Sequence, residues 1–495
     1  MFNRKTEAQA PHGLRQKIIN LARKHGRNLK GGLEQILVDH RKKCADCISF
    51  YDCEILRLSQ EQEVKIKRIS QKKRIETHHL ANAVEFDEAQ CIGCHECLDA
   101  CQKQGLDCLE VHQNGLNETV SPKTEANCVY CGQCTLVCPA ASAQEQSACK
   151  AVEELLKNKN NILIAQFAPA LRVSLGENFG FDSGINCEER IYAALEKIGF
   201  DYIADINFGA DLTTLFEATE LFEMIKNKEI SRPLITSCCP AWVAYAEAYQ
   251  PQLKPFLAKS LSPHLYSAKV IKSLWVQDNG VNPKEVKVVS FVPCTAKKYE
   301  AAREDMKLNG SPLVDYVLTA RELAYLLKKH KIDFKNLTVN SNSSKRILNF
   351  GSGAAAIYGA SGGVMQSALR TLAHMIGDRQ TDKLLKIEFK SSSLIEGLKI
   401  AEVDVADQKL KLGIVSGLKS LIELLPELNN FDYLEVMACP GGCLNGGGQK
   451  LCPSEEILEK RRTGLFNLDQ ARKIRAAHEN LSAVDYFNRL KENNL

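Results

Sequence analysis

The sequence predicts an α/β domain with mainly parallel sheets, preceded by a smaller α+β domain organised around clustered cysteines. Beyond residue 160, short apolar segments lead into loops and then into helical patterns, which is typical of parallel sheets. These segments are NILIAQFAP, DYIADINF, PLITS, VKVVSFVP and DYLEVMA. Between residues 91 and 138, by contrast, cysteines come in two short runs. The cysteine motifs of the later region each follow a predicted strand, at the position where parallel sheets bind ligands.

Composition indicates a globular protein that needs no disulfides. The chain has 495 residues, of which 44% are hydrophobic and 25% charged, an ordinary balance for a chain of several domains. No apolar run that could serve as a signal peptide or membrane span follows the opening MFNRKTEAQAPHG. We therefore expect a cytoplasmic protein without membrane contact. In that reducing compartment its 20 cysteines are expected to be metal ligands rather than disulfides.

The net charge of +4 hides a basic N-terminal part. Residues 1–80 hold 18 Lys or Arg against 9 Asp or Glu, whereas the remainder is mildly acidic. A basic surface can bind nucleic acid, but the sequence holds no zinc finger, RNP pattern or interleaved aromatics, so we expect no nucleic-acid function. An acidic protein partner fits the basic part at least as well. A solvated helix face in VKIKRISQKKR is an equal alternative.

Both cysteine runs have the spacing of ligands to cubic 4Fe4S clusters. The runs are CIGCHECLDAC and CVYCGQCTLVCP. In the CxxCxxCxxxC pattern three thiolates hold one cube and the fourth serves the other. We assign the first cube to Cys91, Cys94, Cys97 and Cys138, and the second to Cys128, Cys131, Cys134 and Cys101. Two zinc sites are the alternative, which the third cysteine of each run disfavours.

A third cysteine motif, HRKKCADCISFYDC, lies upstream of these runs. It supplies His40, Cys44, Cys47 and Cys53, which alone suit either zinc or a cube. Its position just before two cubes favours a third 4Fe4S cluster with an imidazole ligand, in a chain of clusters that carries single electrons inward. The alternative is that His40 is a surface residue and that only the cysteines bind.

Three further motifs place cysteines at the ends of predicted strands. They are TSCCPAW (236–242), VPCTAKKYEA (292–301) and EVMACPGGCLNGGGQ (435–449). The adjacent Cys238 and Cys239 cannot form an unstrained disulfide, because neighbouring Cα atoms lie ~3.8 Å apart and a disulfide needs ~4.4–6.8 Å. The two thiols therefore either perform different tasks or pack as small hydrophobes. Together the motifs offer four widely separated ligands: Cys239, Cys294, Cys439 and Cys443.

Taken together, these motifs resemble the three signature motifs of the iron–iron hydrogenases. The resemblance extends from about residue 38 to the end of the chain and includes GADLTTLFEATEL and GASGGVMQSALR. It implies a catalytic domain of two lobes, with mainly parallel sheets around a buried metallocluster, and a bacterial-ferredoxin-like iron–sulfur domain. It also implies reversible oxidation of H2 to two protons and two electrons at an H-cluster. The spacing after His40 matches the accessory cluster site of that family.

The resemblance further implies roles for individual residues. The four motif cysteines hold a 4Fe4S cube, and Cys443 also bridges it to a diiron unit with CO, cyanide and an azadithiolate bridge. Lys297 places its ammonium against a cyanide, as expected for a cation beside an anionic ligand. Cys238 is the free thiol that exchanges a proton with the bridgehead amine, for which a reference pKa of about 8.5 is suitable. Glu217 and Glu220, spaced i, i+3 on one helix face, match the two relay glutamates.

Several residues depart from the family pattern. Ala258 stands where many relatives carry a serine between the two glutamates, and Met224 stands where they carry an exit arginine. Ser260, Ser262 or an ordered water can bridge that gap. Around the diiron pocket the departures are Val292, Ala170 and His264. We expect these changes to alter the ratio of H2 uptake to H2 evolution, which protein-film voltammetry measures.

The cysteine spacing and the resemblance divide the chain into segments. These are a helical extension (1–37), the His/Cys3 cluster module (38–80), the two-cluster domain (81–150), the catalytic domain (155–452) and a C-terminal helical segment packed on it (453–495). Residues 1–37 contain no cysteine and so cannot hold the 2Fe2S domain common in the family. The remaining cysteines are expected to be structural: Cys108, Cys149, Cys187 and Cys452.

The expected electron partner is ferredoxin or flavodoxin, and maturation proteins are expected to insert the diiron unit into a monomer. One alternative is an iron–sulfur assembly or carrier protein of the hydrogenase-like kind that lacks the diiron unit. Retention of Cys238, Lys297 and the full third motif argues against it. A second alternative is an H2 sensor, whose output would have to come from a partner protein.

Overall fold

The structure, a computed structural model, describes residues 77–114, 117–227, 233–377, 387–405, 408–451 and 453–493. The predicted helical extension (1–37) lies outside these ranges, as do the predicted ligands His40, Cys44, Cys47 and Cys53. Within the ranges, no helix combines the length and the apolar character that crossing a membrane requires.

The first described segment is a small α+β unit that carries the two cysteine runs. Its elements are β1 (Thr77–Leu80), β2 (Val84–Asp87), α1 (Glu96–Lys103), β3 (Leu109–Asn114), β4 (Asn117–Pro122), α2 (Gln133–Val137) and β5 (Ala143–Glu145). Strands β1, β2 and β5 form an antiparallel sheet in that order, and β3 pairs with β4 in a hairpin. Each cysteine run begins in a loop and continues into α1 or α2. The α+β class predicted for this segment is confirmed.

The rest of the chain alternates strands with helices, as predicted. Its elements are α3 (Cys149–Lys157), β6 (Ile162–Phe167), α4 (Leu171–Ser174), α5 (Glu188–Ile198), β7 (Tyr202–Asp205), α6 (Ile206–Lys226), β8 (Leu234–Ile235), α7 (Pro240–Tyr249), α8 (Pro263–Val270), α9 (Val276–Asp278), β9 (Val286–Val292), α10 (Ala296–Ala301), β10 (Lys307–Leu308), β11 (Ser311–Pro312), β12 (Tyr316–Thr319), α11 (Ala320–Lys329), β13 (Arg346–Ile347), α12 (Gly353–Ala356), α13 (Gly363–Ile376), β14 (Lys390–Ser391), β15 (Leu398–Val405), β16 (Gln408–Ser416), α14 (Leu418–Leu424), β17 (Tyr433–Met437), α15 (Glu455–Ala471) and α16 (Leu481–Glu492). A π-helical turn, Ile271–Trp275, joins α8 to α9.

The first of two five-stranded sheets is entirely parallel, with the strand order β12-β9-β6-β7-β13. Its central strand β6 is apolar except for Gln166, and nearly every side chain is buried, as expected for a strand covered on both faces. The predicted strand DYIADINF is shorter than expected and ends at Asp205. The Asp205 carboxylate accepts a hydrogen bond from the Asn207 amide at 2.7 Å and thereby caps α6 at its start.

The second sheet is mixed and has the order β14-β15-β16-β17-β8. Strands β16, β17 and β8 run parallel, whereas β14, β15 and β16 pair antiparallel. The prediction of mainly parallel sheets therefore holds for the first sheet and for the half of the second that carries the motif strands β8 and β17. The antiparallel half arises because β15 and β16 follow one another with a short connection, which permits a hairpin but no crossover.

A buried ion pair joins the cysteine-rich unit to the α/β part. Arg321, at the start of α11, forms a salt bridge with Glu145 of β5, and both side chains are 2% exposed. The guanidinium also donates to the carbonyls of Gly447 (2.8 Å) and Gln449 (2.6 Å) and to the Thr135 hydroxyl (3.0 Å). Burial raises the pKa of Glu145, but Arg321 outweighs burial and holds that pKa below its ordinary value. The pair therefore fixes the second cysteine run against the third motif.

Replacing Arg321 with methionine is expected to destabilise the protein by about 3–5 kcal/mol, because Glu145 is then left as a buried, unpaired charge. The matched control is Lys329→Met on the same helix. In the ion pair between Lys329 and Glu153 the lysine side chain is 47% exposed, and ion pairs at the surface contribute less than about 1 kcal/mol. The midpoint of thermal unfolding, measured on the full chain under anaerobic conditions, compares the two variants. Equal midpoints would contradict the role assigned to Arg321.

Candidate active site

Three strand ends converge on one buried cavity. Strand β9 of the first sheet and strands β8 and β17 of the second each end where a cysteine motif begins. The cavity has a volume of about 80 Å³. Its lining includes the four predicted cube ligands, the predicted proton-transfer thiol and the predicted lysine: Cys239, Cys294, Cys439, Cys443, Cys238 and Lys297. Residues from three separate motifs thus face the same space.

The four predicted cube ligands are thiols in a buried environment. Burial raises the pKa of every one of them, and of Cys443 to about 12. Repulsion from neighbouring thiolates adds to this rise at Cys294, Cys439 and Cys443. The Cys239 sulfur accepts a hydrogen bond from the Ala438 amide at 3.4 Å, as cluster sulfurs commonly do. Four thiolates in such a place need nearby metal charge, so these residues fit the predicted cube.

The two cysteine runs of the α+β unit form loops of the same conformation. In each loop, the residues on both sides of the second cysteine have φ between +60° and +69°. These residues are Gly93, His95, Tyr130 and Gly132. The sulfurs of Cys91, Cys128 and Cys138 accept backbone hydrogen bonds at 3.3–3.4 Å. Equal backbone winding and N–H···S bonds in both loops fit a pair of similar clusters.

The thiols of the two runs interact electrostatically both within and between the runs. Burial raises the pKa of Cys97 and of Cys138, and the charges of Cys91 and Cys94 add to both rises. The charge of Cys134 also raises the pKa of Cys97, and the charge of Cys138 adds to the rise that burial causes at Cys134. The division of the eight cysteines between two cubes stays a prediction.

Cys108 lies among these ligands, where no spacing pattern predicts it. Its side chain forms hydrogen bonds with Cys101 and Cys128, and its sulfur lies 3.7 Å from the Asn127 carbonyl. We expected Cys108 to be structural, but the structure places it beside the second predicted cube. The loop between α1 and β3 carries it there, a connection that the CxxCxxCxxxC spacing does not describe.

A run of glycines lets the second cysteine run approach the catalytic cavity. A Cβ at Gly447 would lie 2.5 Å from the Cys131 carbonyl oxygen and 2.6 Å from the Cα atom of Gly132. Only a residue without Cβ fits there. Cys131 itself lines the catalytic cavity. A predicted ligand of the second cube therefore adjoins the predicted ligands of the catalytic cube.

Lys297 belongs to an ion-pair network at the cavity wall. Its ammonium donates to the Cys238 carbonyl (3.0 Å) and to the Glu300 carboxylate (2.8 Å), and the same carboxylate oxygen lies 2.7 Å from Nε2 of His264. Burial lowers the pKa of Lys297, but Glu300 outweighs burial and raises it. Burial raises the pKa of Glu300, but Lys297 and His264 bring it down to about 2. The lysine and the carboxylate both stay charged.

The predicted departures around the diiron pocket all line this cavity: Val292, Ala170 and His264. Burial and the charge of Lys297 lower the pKa of His264, so the imidazole is neutral near pH 7. Its Nδ1 atom lies 3.4 Å from the Ser290 hydroxyl. The histidine therefore presents a neutral, fixed ring to the cavity.

Glu217 lies in the middle of α6 with a buried carboxylate. One oxygen accepts a hydrogen bond from the Tyr433 hydroxyl, and the other accepts one from the Ser260 hydroxyl at 3.2 Å. Burial raises its pKa to about 7, and the nearby Glu220 and Glu435 add to the rise. Tyr433 was not predicted as a partner, because it lies on β17, 216 positions along the chain.

Glu220 lies one turn further along α6, closer to the surface. Its carboxylate accepts a hydrogen bond from the Lys259 amide at 3.0 Å. Ala258 and Met224 are both buried, and both pack in one apolar cluster. The predicted relay glutamates therefore share a helix but have separate hydrogen-bond partners.

Comparison with known proteins identifies two families in the chain. Residues 161–447 match the family described as "Iron only hydrogenase large subunit, C-terminal domain". Residues 90–142 match the "4Fe-4S dicluster domain". The second range contains both cysteine runs, and the first contains the cysteines of all three later motifs.

Individual relatives agree with these matches. The NADP-reducing hydrogenase subunit HndD of Solidesulfovibrio fructosivorans is 35% identical over 474 residues, covering 92% of this chain and 80% of the relative. Iron hydrogenase 1 of Clostridium pasteurianum is 34% identical over 476 residues, covering 93% and 82%. A cytosolic Fe-S cluster assembly factor of Danio rerio, narfl, is more distant, at 24% over 353 residues, covering 68% and 83%.

A solved structure carries the same fold. The [FeFe]-hydrogenase HydA(deltaEFG), whose structure concerns stepwise H-cluster assembly, has a TM-score of 0.61 and 28% identity to this chain. The match covers 68% of this chain and 93% of that one. The chain belongs to the iron-only hydrogenase family.

Proposed function

We propose that the chain interconverts H2 with two protons and two electrons at an H-cluster. Cys239, Cys294, Cys439 and Cys443 would hold its 4Fe4S cube, and Cys443 would also connect the chain to the diiron unit. When bound, the diiron unit supplies the metal site at which H2 is split or formed. The observation that carries this proposal is the convergence of these four thiols with a fifth cysteine and a lysine on one buried cavity.

Electrons reach this cavity through three accessory 4Fe4S cubes. The cube of the second run adjoins the cavity through Cys131, the cube of the first run lies next to it, and the His40 cube precedes both in the chain. The basic residues 1–80 favour an acidic ferredoxin or flavodoxin as the cytoplasmic electron partner. Because the relative from Solidesulfovibrio fructosivorans is named as NADP-reducing, a nucleotide-reducing partner subunit is the alternative.

Cys238 and Glu217 carry protons between the cavity and the protein interior. The Cys238 thiol lines the cavity. Burial raises its pKa, and the carboxylate charge of Glu217 raises it further. With a pKa of about 7, Glu217 populates both protonation states near neutral pH, which proton relay in either direction requires.

The two buried carboxylates of the site perform opposite tasks. Glu300, with a pKa of about 2, stays ionised and holds the ammonium of Lys297 and the imidazole of His264. Glu217, with a pKa of about 7, exchanges protons. Environments that push the pKa values of two carboxyl groups apart commonly separate such roles. Lys297 is thereby held as a fixed cation beside the expected cyanide ligand.

The competing function is iron–sulfur assembly without a diiron unit, which the similarity to the Danio rerio assembly factor supports at lower identity. Cys238, Lys297 and the glycine-rich third motif would have no task in such a protein. The diiron unit is tied to the chain by a single thiolate, so maturation proteins must insert it before the two functions can be distinguished.

Replacing Cys238 with alanine is expected to lower H2 evolution by about 10²–10⁴-fold, because a general acid–base group is lost. H2 evolution is assayed with reduced methyl viologen on anaerobically matured protein. The matched control is Cys187→Ala, since Cys187 is a buried cysteine in the core around the first sheet, and it should keep the wild-type rate. Equal rates for the two variants would exclude the Cys238 thiol from proton transfer.

The rate of H2 evolution is expected to change slope near pH 7, the pKa of Glu217. Below that pH the carboxyl group stays protonated and cannot accept a proton; above it the group stays ionised and cannot donate one. Glu217→Gln should lower the rate by about 10²-fold or more and remove this change of slope. Initial rates across the neutral pH range test this. If the change of slope persists in the glutamine variant, another group is responsible.

A further inference from the structure

Among the described residues, no chain of hydrogen bonds connects Glu217 to the surface along the predicted relay. Within the described residues, no hydrogen bond joins it to Glu220, whose carboxylate binds the Lys259 amide instead. Ala258 and Met224 are buried and have no side-chain group that donates a proton. Protons that reach Glu217 therefore need another way to and from solvent.

Ser260 supplies a hydroxyl to the carboxylate oxygen of Glu217 that Tyr433 does not bind. Its Oγ donates to Glu217 Oε2 at 3.2 Å, while the Tyr433 hydroxyl binds the other carboxylate oxygen. A hydroxyl both donates and accepts, so it can pass on a proton without keeping a charge. The loop that carries Ser260 is held by the Ser237 hydroxyl, which donates to the Ser260 carbonyl at 2.9 Å.

Ser260 borders a second cavity, of about 190 Å³. Hydroxyl and charged side chains line it: Ser237, Ser260, Ser262, Glu300, Arg303 and Lys259. Ser262 is 2% exposed, and its hydroxyl oxygen has no hydrogen-bond partner among the described residues. Most of the lining is apolar, but a cavity of this size has room for several waters, and the serine hydroxyls and the Glu300 carboxylate are the partners that such waters need.

The second cavity leads outward to Arg303. This side chain is 22% exposed and forms an ion pair at 2.8 Å with Glu247, which is 26% exposed. Further in, the ionised carboxylate of Glu300 lines the same cavity.

On the basis of the proposed hydrogenase function, we infer that protons pass between Glu217 and solvent through the Ser260 hydroxyl and the second cavity. In an inward passage, Ser260 gives its hydroxyl proton to Glu217 and takes one proton from a cavity water, which in turn takes one proton from solvent. An outward passage reverses both transfers. Ser260 is thus a relay residue that takes over the task of the hydroxyl missing at Ala258.

Two substitutions of Ser260 test this route. Ser260→Ala is expected to lower H2 evolution by about 10²-fold and to raise the solvent isotope effect on the rate, whereas Ser260→Thr keeps a hydroxyl and should retain most of the activity. The control is Ser420→Ala. Ser420 is also 8% exposed, and its hydroxyl binds the Ser416 carbonyl, away from both cavities. Glu220→Gln should lose less activity than Ser260→Ala.

A second readout needs no diiron unit. In infrared difference spectra of the chain prepared without maturation and titrated through neutral pH, the C=O stretch of the protonated Glu217 carboxyl is assigned by its loss in Glu217→Gln. Removal of the Ser260 hydrogen bond should shift this band in Ser260→Ala and leave it in place in Ser420→Ala. An unshifted band in Ser260→Ala would contradict the route.

The outcomes distinguish this route from the proposed function. A wild-type chain that evolves no H2 after verified maturation would refute the proposed function. An active wild type with an equally active Ser260→Ala variant would refute the route alone. A larger loss in Glu220→Gln than in Ser260→Ala would assign proton exit to the Glu220 side of α6.

Discussion

The contact between the second cysteine run and the third motif determines how electrons can reach the catalytic cavity. Around one buried guanidinium, Arg321 gathers Glu145 of the α+β unit and two carbonyls of the glycine-rich loop. Because a Cβ at Gly447 would lie 2.5 Å from the Cys131 carbonyl oxygen, the two loops meet backbone to backbone. A side chain at that position would push Cys131 away from the cavity and separate the two sets of cluster ligands.

Around the cavity, the partners of each buried carboxylate determine whether it stays ionised or exchanges protons. Glu217 and Glu300 are both buried, so depth alone does not distinguish them. Glu300 has the ammonium of Lys297 and the ring of His264 as partners and remains ionised. Glu217 has only hydroxyl partners, and its pKa rises to about 7.

Patterns in the sequence were sufficient to predict the motif strands, the α/β and α+β classes and the residues that line the cavity. The antiparallel half of the second sheet was missed, although the alternation in LKIAEVDV is typical of a strand with one exposed face. Cys108 and Tyr433 were missed for a different reason. Both reach their partners through contacts between elements far apart in the chain, and such contacts leave no fixed spacing to detect.

The central claim is that the cavity between the two sheets holds a diiron unit with CO and cyanide ligands. The most direct test is an infrared spectrum of the full chain after anaerobic maturation, with a family member of known activity matured in the same host to verify the procedure. We predict absorption bands in the region where metal-bound CO and cyanide stretch. Their absence, with the bands present in the reference protein, would contradict the account and leave a chain of iron–sulfur cubes without hydrogenase chemistry.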